Sequence, residues 1–277
     1  MRSFGGRLRA LIDSRGPLCV GIDPSTALLD AWGLGDTPGG LEKFARLAVE
    51  AVAGSVAVVK PQSAFFERFG SRGVAVLESV VADARAMGAL VIMDAKRGDI
   101  GSTTAAYAQA YLHPDSPLAA DAVTISPYLG FGSLQPMVDL AREHGAGLFV
   151  LARTSNPEAA EVQLATGPDG RTVAGTVMDH VAGLNHGAEP LGSVGVVLGA
   201  TLTDLDYPVA RLNGPILAPG VGAQGATCAD TARLFAAARR NVLPSVSRAV
   251  LAEGPDPIRL QDAVDRLNDE AREHLSA

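Results

Sequence analysis

The stretch "ALVIMDAKRGDIGST", Ala89 to Thr103, runs five apolar residues directly into four charged ones, Asp94, Lys96, Arg97 and Asp99. An apolar run of this length that ends abruptly in charge reads as a strand buried along its body and exposed only at its C-terminal tip. The same pattern recurs along the chain. "PLCVGID" ends at Asp23, "SVAVVKP" near Lys60 and "DAVTISPY" near Tyr128; "GLFVLARTS", "SVGVVLGAT", "PILAPGVG" and "VLPSVSRAV" follow.

Helical stretches such as "GGLEKFARLAVEAVAG" and "SRGVAVLESVVADARAMG" lie between these runs. Eight such runs alternating with helices predict parallel strands covered on both faces, hence one (β/α)8 barrel over residues 1–277. No Pro- or Ser-rich linker divides the chain, and no internal repeat is evident. Phe4, Leu8, Leu11 and Ile12 recur at helical spacing before the first run, and "DPIRLQDAVDRLNDEAREHL" reads as the closing amphipathic helix.

Composition narrows the function. The hydrophobic fraction of 47% supports a large core, and a formal charge of −7 argues against a general nucleic-acid binder. Cys19 and Cys228 lie far apart, with no metal or redox spacing, and read as buried thiols of a cytoplasmic protein. The start, "MRSFGGRLRALIDSRG", lacks the apolar core of a signal peptide, and no uncharged apolar run is long enough to span a bilayer. His113, His144, His180, His186 and His274 form no i, i+4 pair and read as structural or surface residues. Neither a metal nor an organic cofactor is expected.

Asp23, Lys60, Asp94, Lys96, Ser155 and Arg248 all fall at or just beyond the C-terminal ends of their runs. In this architecture that rim carries the active site. Asp94 and Lys96 are two apart, so an extended strand would project both to one face, with Lys60 of the neighbouring strand on the far side of Asp94. Asp99 lies beyond the strand end. A solvated salt-bridge network is the alternative reading of this stretch.

"PGVGAQG", Pro219 to Gly225, follows the seventh run, and Arg248 ends the eighth, the positions where barrels usually bind phosphate. Gly220, Gly222 and Gly225 would let backbone N–H groups approach an anion, with Gln224 and Arg248 adding side-chain donors. An ordinary glycine turn is the plain alternative. Ser155 reads as a site residue, as the N-cap of a helix beginning in "NPEAAEVQ", or as both. "ATGPDGRTVAGT", Ala165 to Thr176, is either a lid or a surface loop.

"VIMDAKRGDIGST" resembles the D-x-K-x-x-D-[IV]-x-x-T signature of orotidine 5′-phosphate decarboxylases, at Asp94, Lys96, Asp99, Ile100 and Thr103. "VGIDPS", "VVKPQSAFFERFG", "RTSNP" and "PGVGAQG" are similar to the longer bacterial branch of that family, found in mycobacteria and their relatives. One departure stands out: Ser247 precedes Arg248 where many members have glycine.

The resemblance implies conversion of orotidine 5′-monophosphate to uridine 5′-monophosphate and carbon dioxide, without cofactor or metal. It implies that Asp23 and Lys60 contact the ribose, that Asp94 lies by the substrate carboxylate, and that Lys96 is the catalytic lysine. Asp99, Ile100 and Thr103 would reach into the partner's site in a homodimer. Ser155 would read the pyrimidine, while Gly222, Gln224 and Arg248 would hold the phosphate. A cation beside C6 stabilises developing negative charge and can then supply the proton, and flanking carboxylates favour its charged form. Two other readings stay open at this stage. One is a magnesium-dependent sugar-phosphate lyase of the related barrels; the other is a barrel that binds a nucleotide without turning it over.

Overall fold

A computed structural model describes residues 2–276. Its strands are β1 (Cys19–Ile22), β2 (Val58–Pro61), β3 (Leu90–Arg97), β4 (Ala122–Ile125), β5 (Gly147–Arg153), β6 (Val194–Leu198), β7 (Ile216–Pro219) and β8 (Val242–Val246). They pair in parallel and in sequence order, and β8 closes back on β1 to complete the barrel. Each of the eight apolar runs contains one strand. The reason is burial on both faces: β1, β2, β4, β6 and β8 have no exposed or half-exposed position.

Alternation within the strands builds two cores. Val20, Val59, Val91, Val123 and Val150 point outward and pack beneath the helices. Cys19, Val58, Ile92, Ala122 and Phe149 point inward with Leu217 and Leu243 and fill the lumen. Two residues further along four of these strands stand Gly21, Lys60, Asp94 and Thr124, which the two-residue period aims the same way. The lumen therefore changes from apolar to polar at its C-terminal end.

The helix Phe4–Arg15 plugs the opposite end. Phe4 and Leu8 are fully buried in the lumen cluster, Ile12 is nearly so, and Leu11 packs alongside. The Phe4 ring meets Phe149 edge-on at 6.0 Å and lies against Gly147, where a Cβ would sit 2.3 Å from the ring. The final helix, Pro257–Leu275, starts on the Asp256 side chain, which accepts from the N–H groups of Ile258 and Arg259. Leu260, Val264, Leu267 and Ala271 form its buried stripe, facing the helix Pro38–Val52 among others. Its Asn268 accepts from Leu18 N–H and donates to the Arg15 carbonyl, tying the last helix to the entry of the first strand.

Cys19 and Cys228 are both buried and free, and burial pushes each thiol up to about 12. Among the described residues, no helix is long and apolar enough to cross a membrane.

Candidate active site

A cavity of about 560 Å³ opens at the C-terminal mouth, a size that suits a small organic ligand. Asp23, Lys60, Asp94, Lys96, Ser155, Gln224 and Arg248 all line it.

Asp94 is its electrostatic centre. One carboxylate oxygen accepts from Lys60 Nζ at 3.0 Å. The other accepts from Lys96 Nζ at 2.6 Å and from the Thr124 hydroxyl at 2.9 Å. The Lys60 and Asp94 side chains are 7% and 9% exposed, whereas Lys96 is 45% exposed. Burial alone would raise the Asp94 pKa, but Lys60 and then Lys96 outweigh it and hold the carboxyl well below the usual carboxylate range. Burial alone would likewise lower the Lys60 pKa; Asp94 and then Asp23 instead hold it above the ordinary lysine value. The solvated-network alternative fails for this pair because both partners are desolvated.

The expectation of simple alternation from Asp94 to Lys96 is corrected. Met93 pairs with Val123 and Arg97 with Ile125, so Asp94, Ala95 and Lys96 together oppose Thr124 alone. The strand bulges there, and Lys96 has a φ of 48°, in the left-handed region. The two side chains meet through that bulge, not through a regular pleat.

Asp23 is half-buried, and its Oδ1 is buried without a hydrogen-bond partner among the described residues. Ser155 does not cap a helix. The cap position before the short 3-10 turn Pro157–Ala159 falls on Asn156, and the Ser155 hydroxyl instead donates to Gln224 Oε1 at 3.1 Å. Arg248 is exposed and opens the short helix Arg248–Leu251, next to Ser247, whose buried hydroxyl has no hydrogen-bond partner among the described residues.

Gly220, with a φ of 112°, lines the cavity together with Val221, Ala223 and Gln224. Gly222 does not line it; its N–H donates to the Ala226 carbonyl within the turn. Asp99, Ile100 and Thr103 also stand outside the cavity lining. Asp99 accepts from the N–H of Ile100, Ile100 is 62% exposed, and Thr103 lies exposed in the first turn of the helix Gly101–Leu112. Residues 165–172 form a small surface turn, bridged from Thr166 to Thr172, and 173–176 open the helix Val173–Leu184; none of them lines the cavity.

Sequence reasoning missed Thr124 and Gln163, both of which line the cavity. Gln163 accepts from Thr154 N–H and donates to the Thr154 hydroxyl, both at 2.8 Å, holding the residue before Ser155. Among the described residues, no three His, Cys, Asp or Glu side chains converge as a metal site.

A closed parallel barrel with a buried, alternating charge array at its C-terminal mouth defines a (β/α)8-barrel enzyme. Residues 16–261 match the Orotidine 5′-phosphate decarboxylase / HUMPS family, and the chain belongs to that family. It is 64% identical, over the full length of both chains, to the orotidine 5′-phosphate decarboxylase of Streptomyces coelicolor. A crystal structure from Streptomyces avermitilis, of a chain given the same name provisionally, superposes with a TM-score of 0.98 at 63% identity, covering 100% of this chain and 97% of that one. The OMP decarboxylase structure of Leishmania donovani gives a TM-score of 0.75 at 33% identity, covering 99% and 100%.

Proposed function

We propose that this protein is a carboxy-lyase that converts orotidine 5′-monophosphate into uridine 5′-monophosphate and carbon dioxide in pyrimidine biosynthesis. The observation that carries this reading is the Lys60–Asp94–Lys96 array at the mouth of the barrel, with Lys60 and Asp94 buried, in a chain with a full-length relative of that name.

The chemistry follows from the charges. Breaking the bond from C6 to the carboxylate leaves an electron pair on C6 that no adjacent carbonyl delocalises. Lys96 places a cation there, stabilises the pair and donates a proton to it, while carbon dioxide departs; solvent then reprotonates the amine. Arginine would be too weak an acid for that last transfer. Asp94 orients Lys96 and faces the substrate carboxylate, and Lys60 neutralises Asp94 and reaches the ribose.

The unpartnered Oδ1 of Asp23 accepts from a ribose hydroxyl, satisfying a buried acceptor. Ser155 reads the pyrimidine edge. Arg248, Gln224 and the turn around Gly220 and Gly222 hold the phosphate. No metal or organic cofactor takes part.

The functional unit is a homodimer of single-domain chains in the cytoplasm. Asp99, Ile100 and Thr103 lie outside their own chain's cavity, which suits a role in the partner's. Ile100, Tyr128 and Leu129 are 62%, 76% and 52% exposed on adjoining loops, an apolar surface that a second copy would cover. Two free, buried thiols suit a reducing compartment.

The test is loss of orotidine 5′-monophosphate absorbance with purified protein after exhaustive chelation. Full activity is expected. Binding without turnover, or activity restored only by magnesium, would overturn the reading.

A further inference from the structure

The bulge in β3 leaves two backbone groups out of register with β4, and each is satisfied by a side chain. Lys96 N–H donates to the Thr124 hydroxyl at 2.9 Å, and the Ala95 carbonyl accepts from the Arg97 guanidinium at 3.1 Å. The ladder resumes immediately beyond, where Ser126 N–H donates to the Arg97 carbonyl. A hydroxyl has one proton to give and lone pairs to receive with. Thr124 uses both: it receives the Lys96 N–H and gives its proton to the same Asp94 oxygen that binds Lys96 Nζ. The hydroxyl of Thr124, a residue 1% exposed, therefore fixes the backbone at one end of the lysine and the carboxylate that holds its other end.

We propose that Thr124 is a positioning residue for decarboxylation, setting the Lys96 ammonium by locking the left-handed bulge and the Asp94 carboxylate together. This rests on the decarboxylase reading above. A non-glycine residue in the left-handed region persists only where its surroundings over-determine it. Thr124 supplies one of those constraints, Arg97 the other. Arg97 is itself held by Glu67 and lies over the rings of Tyr107 and Tyr111. Losing the Thr124 hydroxyl leaves the part-buried Lys96 N–H without its acceptor, frees the bulge to relax towards an ordinary backbone, and removes one bond from Asp94. The ammonium then loses its aim at C6, while the ribose and phosphate contacts remain.

The experiment compares Thr124→Val, which keeps shape and strand preference, with Thr124→Ser, which keeps the hydroxyl. Decarboxylation kinetics, affinity for uridine 5′-monophosphate and thermal melting are measured on each. Uridine 5′-monophosphate lacks the departing carboxylate, so its binding reports the rest of the site.

The expected result for Thr124→Val is a kcat lowered about 10- to 100-fold, the scale of a lost hydrogen bond to a charged group, with product affinity within about 3-fold of wild type. Thr124→Ser should restore most of kcat. If Thr124→Val does not fold, Thr124→Ala against Thr124→Ser makes the same comparison, since both lack the methyl group. Unchanged kcat in Thr124→Val, product affinity falling in step with kcat, or equal damage in Thr124→Ser would each overturn the proposal. An inactive wild-type protein would overturn the functional reading as well. A fully active wild type beside an unimpaired Thr124→Val overturns this inference alone.

Discussion

Replacing Asp94 by asparagine tests whether its charge is what allows Lys60 to be buried. Three donors converge on two carboxylate oxygens: Lys60 Nζ, Lys96 Nζ and the Thr124 hydroxyl. Asparagine offers one acceptor oxygen and one amino group, so in either orientation an N–H faces a donor. The Lys60 ammonium, with its side chain 7% exposed, loses its counter-charge at 3.0 Å. At an effective dielectric constant of about 20 that pair is worth roughly 5 kcal/mol of Coulomb attraction before desolvation is counted. Breaking buried pairs typically destabilises by about 3–5 kcal/mol. The half-exposed Lys96 adds little, because solvent screens it.

The expected loss for Asp94→Asn is therefore about 3–5 kcal/mol, read by chemical denaturation at neutral pH and fixed protein concentration. Adding Lys60→Met to that variant removes the stranded cation and should recover about half of the loss.

The pH dependence has a definite sign. Asp94, its pKa held below the ordinary value, supplies stability that is present above about pH 4 and lost as pH falls through the depressed folded value. Lys60, its pKa raised, supplies stability that is full below about pH 10 and lost as pH rises through the raised value. Without Asp94 only the weaker pull of Asp23 opposes burial, so the Lys60 charge becomes a burden that fades towards about pH 10 as the amine deprotonates. The gap between wild type and Asp94→Asn should be widest around neutrality and narrow at both extremes. An Asp94→Asn variant within about 1 kcal/mol of wild type would refute the reasoning, because it would show that the pair contributes far less than a buried pair should. So would a double variant no more stable than Asp94→Asn.

Lys96→Ala and Asp99→Ala homodimers should each be nearly inactive. Allowed to exchange subunits in equal amounts, they should recover about 25% of native sites, since half the dimers become hybrids with one intact site each; no recovery despite proven exchange would return Asp99 to its own chain. Arg248→Ala should lower kcat/KM steeply for the nucleotide but little for a substrate lacking phosphate, because remote binding energy contributes to transition-state stabilisation. Equal losses on both substrates would place Arg248 outside phosphate binding.

The barrel was legible because parallel strands buried on both faces leave continuous apolar runs, and because Asp23, Lys60 and Asp94 interrupt those runs at the same end. The bulge was not. Nothing between Met93 and Arg97 is a glycine or asparagine that would announce a left-handed residue. The bulge exists only as a three-against-one pairing with Thr124, which needs both strands in place. Thr124 itself, inside "DAVTISPY", looks like an ordinary β-branched strand former. Gln163 was hidden for a different reason: its bonds to Thr154 close a loop whose path no local pattern encodes. Gly222 is the reverse case: its N–H donates to the Ala226 carbonyl, a bond within the turn that the glycine-rich pattern does not announce.

These differences divide the site into two mechanical parts. The charge array stands on adjoining strands, β2 to β4, with both Asp94 oxygens already engaged, so little reorientation is needed when charge develops on the substrate. The residues proposed for recognition stand on loops after β5, β7 and β8, and two of them bind each other: Ser155 donates to Gln224 across the cavity. A nucleotide that uses both must replace that bond, which costs about 0.5–1.5 kcal/mol if both partners are neutral. If Arg248 holds the phosphate as proposed, that pair would gain charge-assisted bonds roughly twice as strong as neutral ones, and the exchange would favour the nucleotide. A ligand without phosphate forgoes that gain and still has to open the Ser155–Gln224 bond. On the proposed roles the loops would supply the discrimination, and the array would act without having to move.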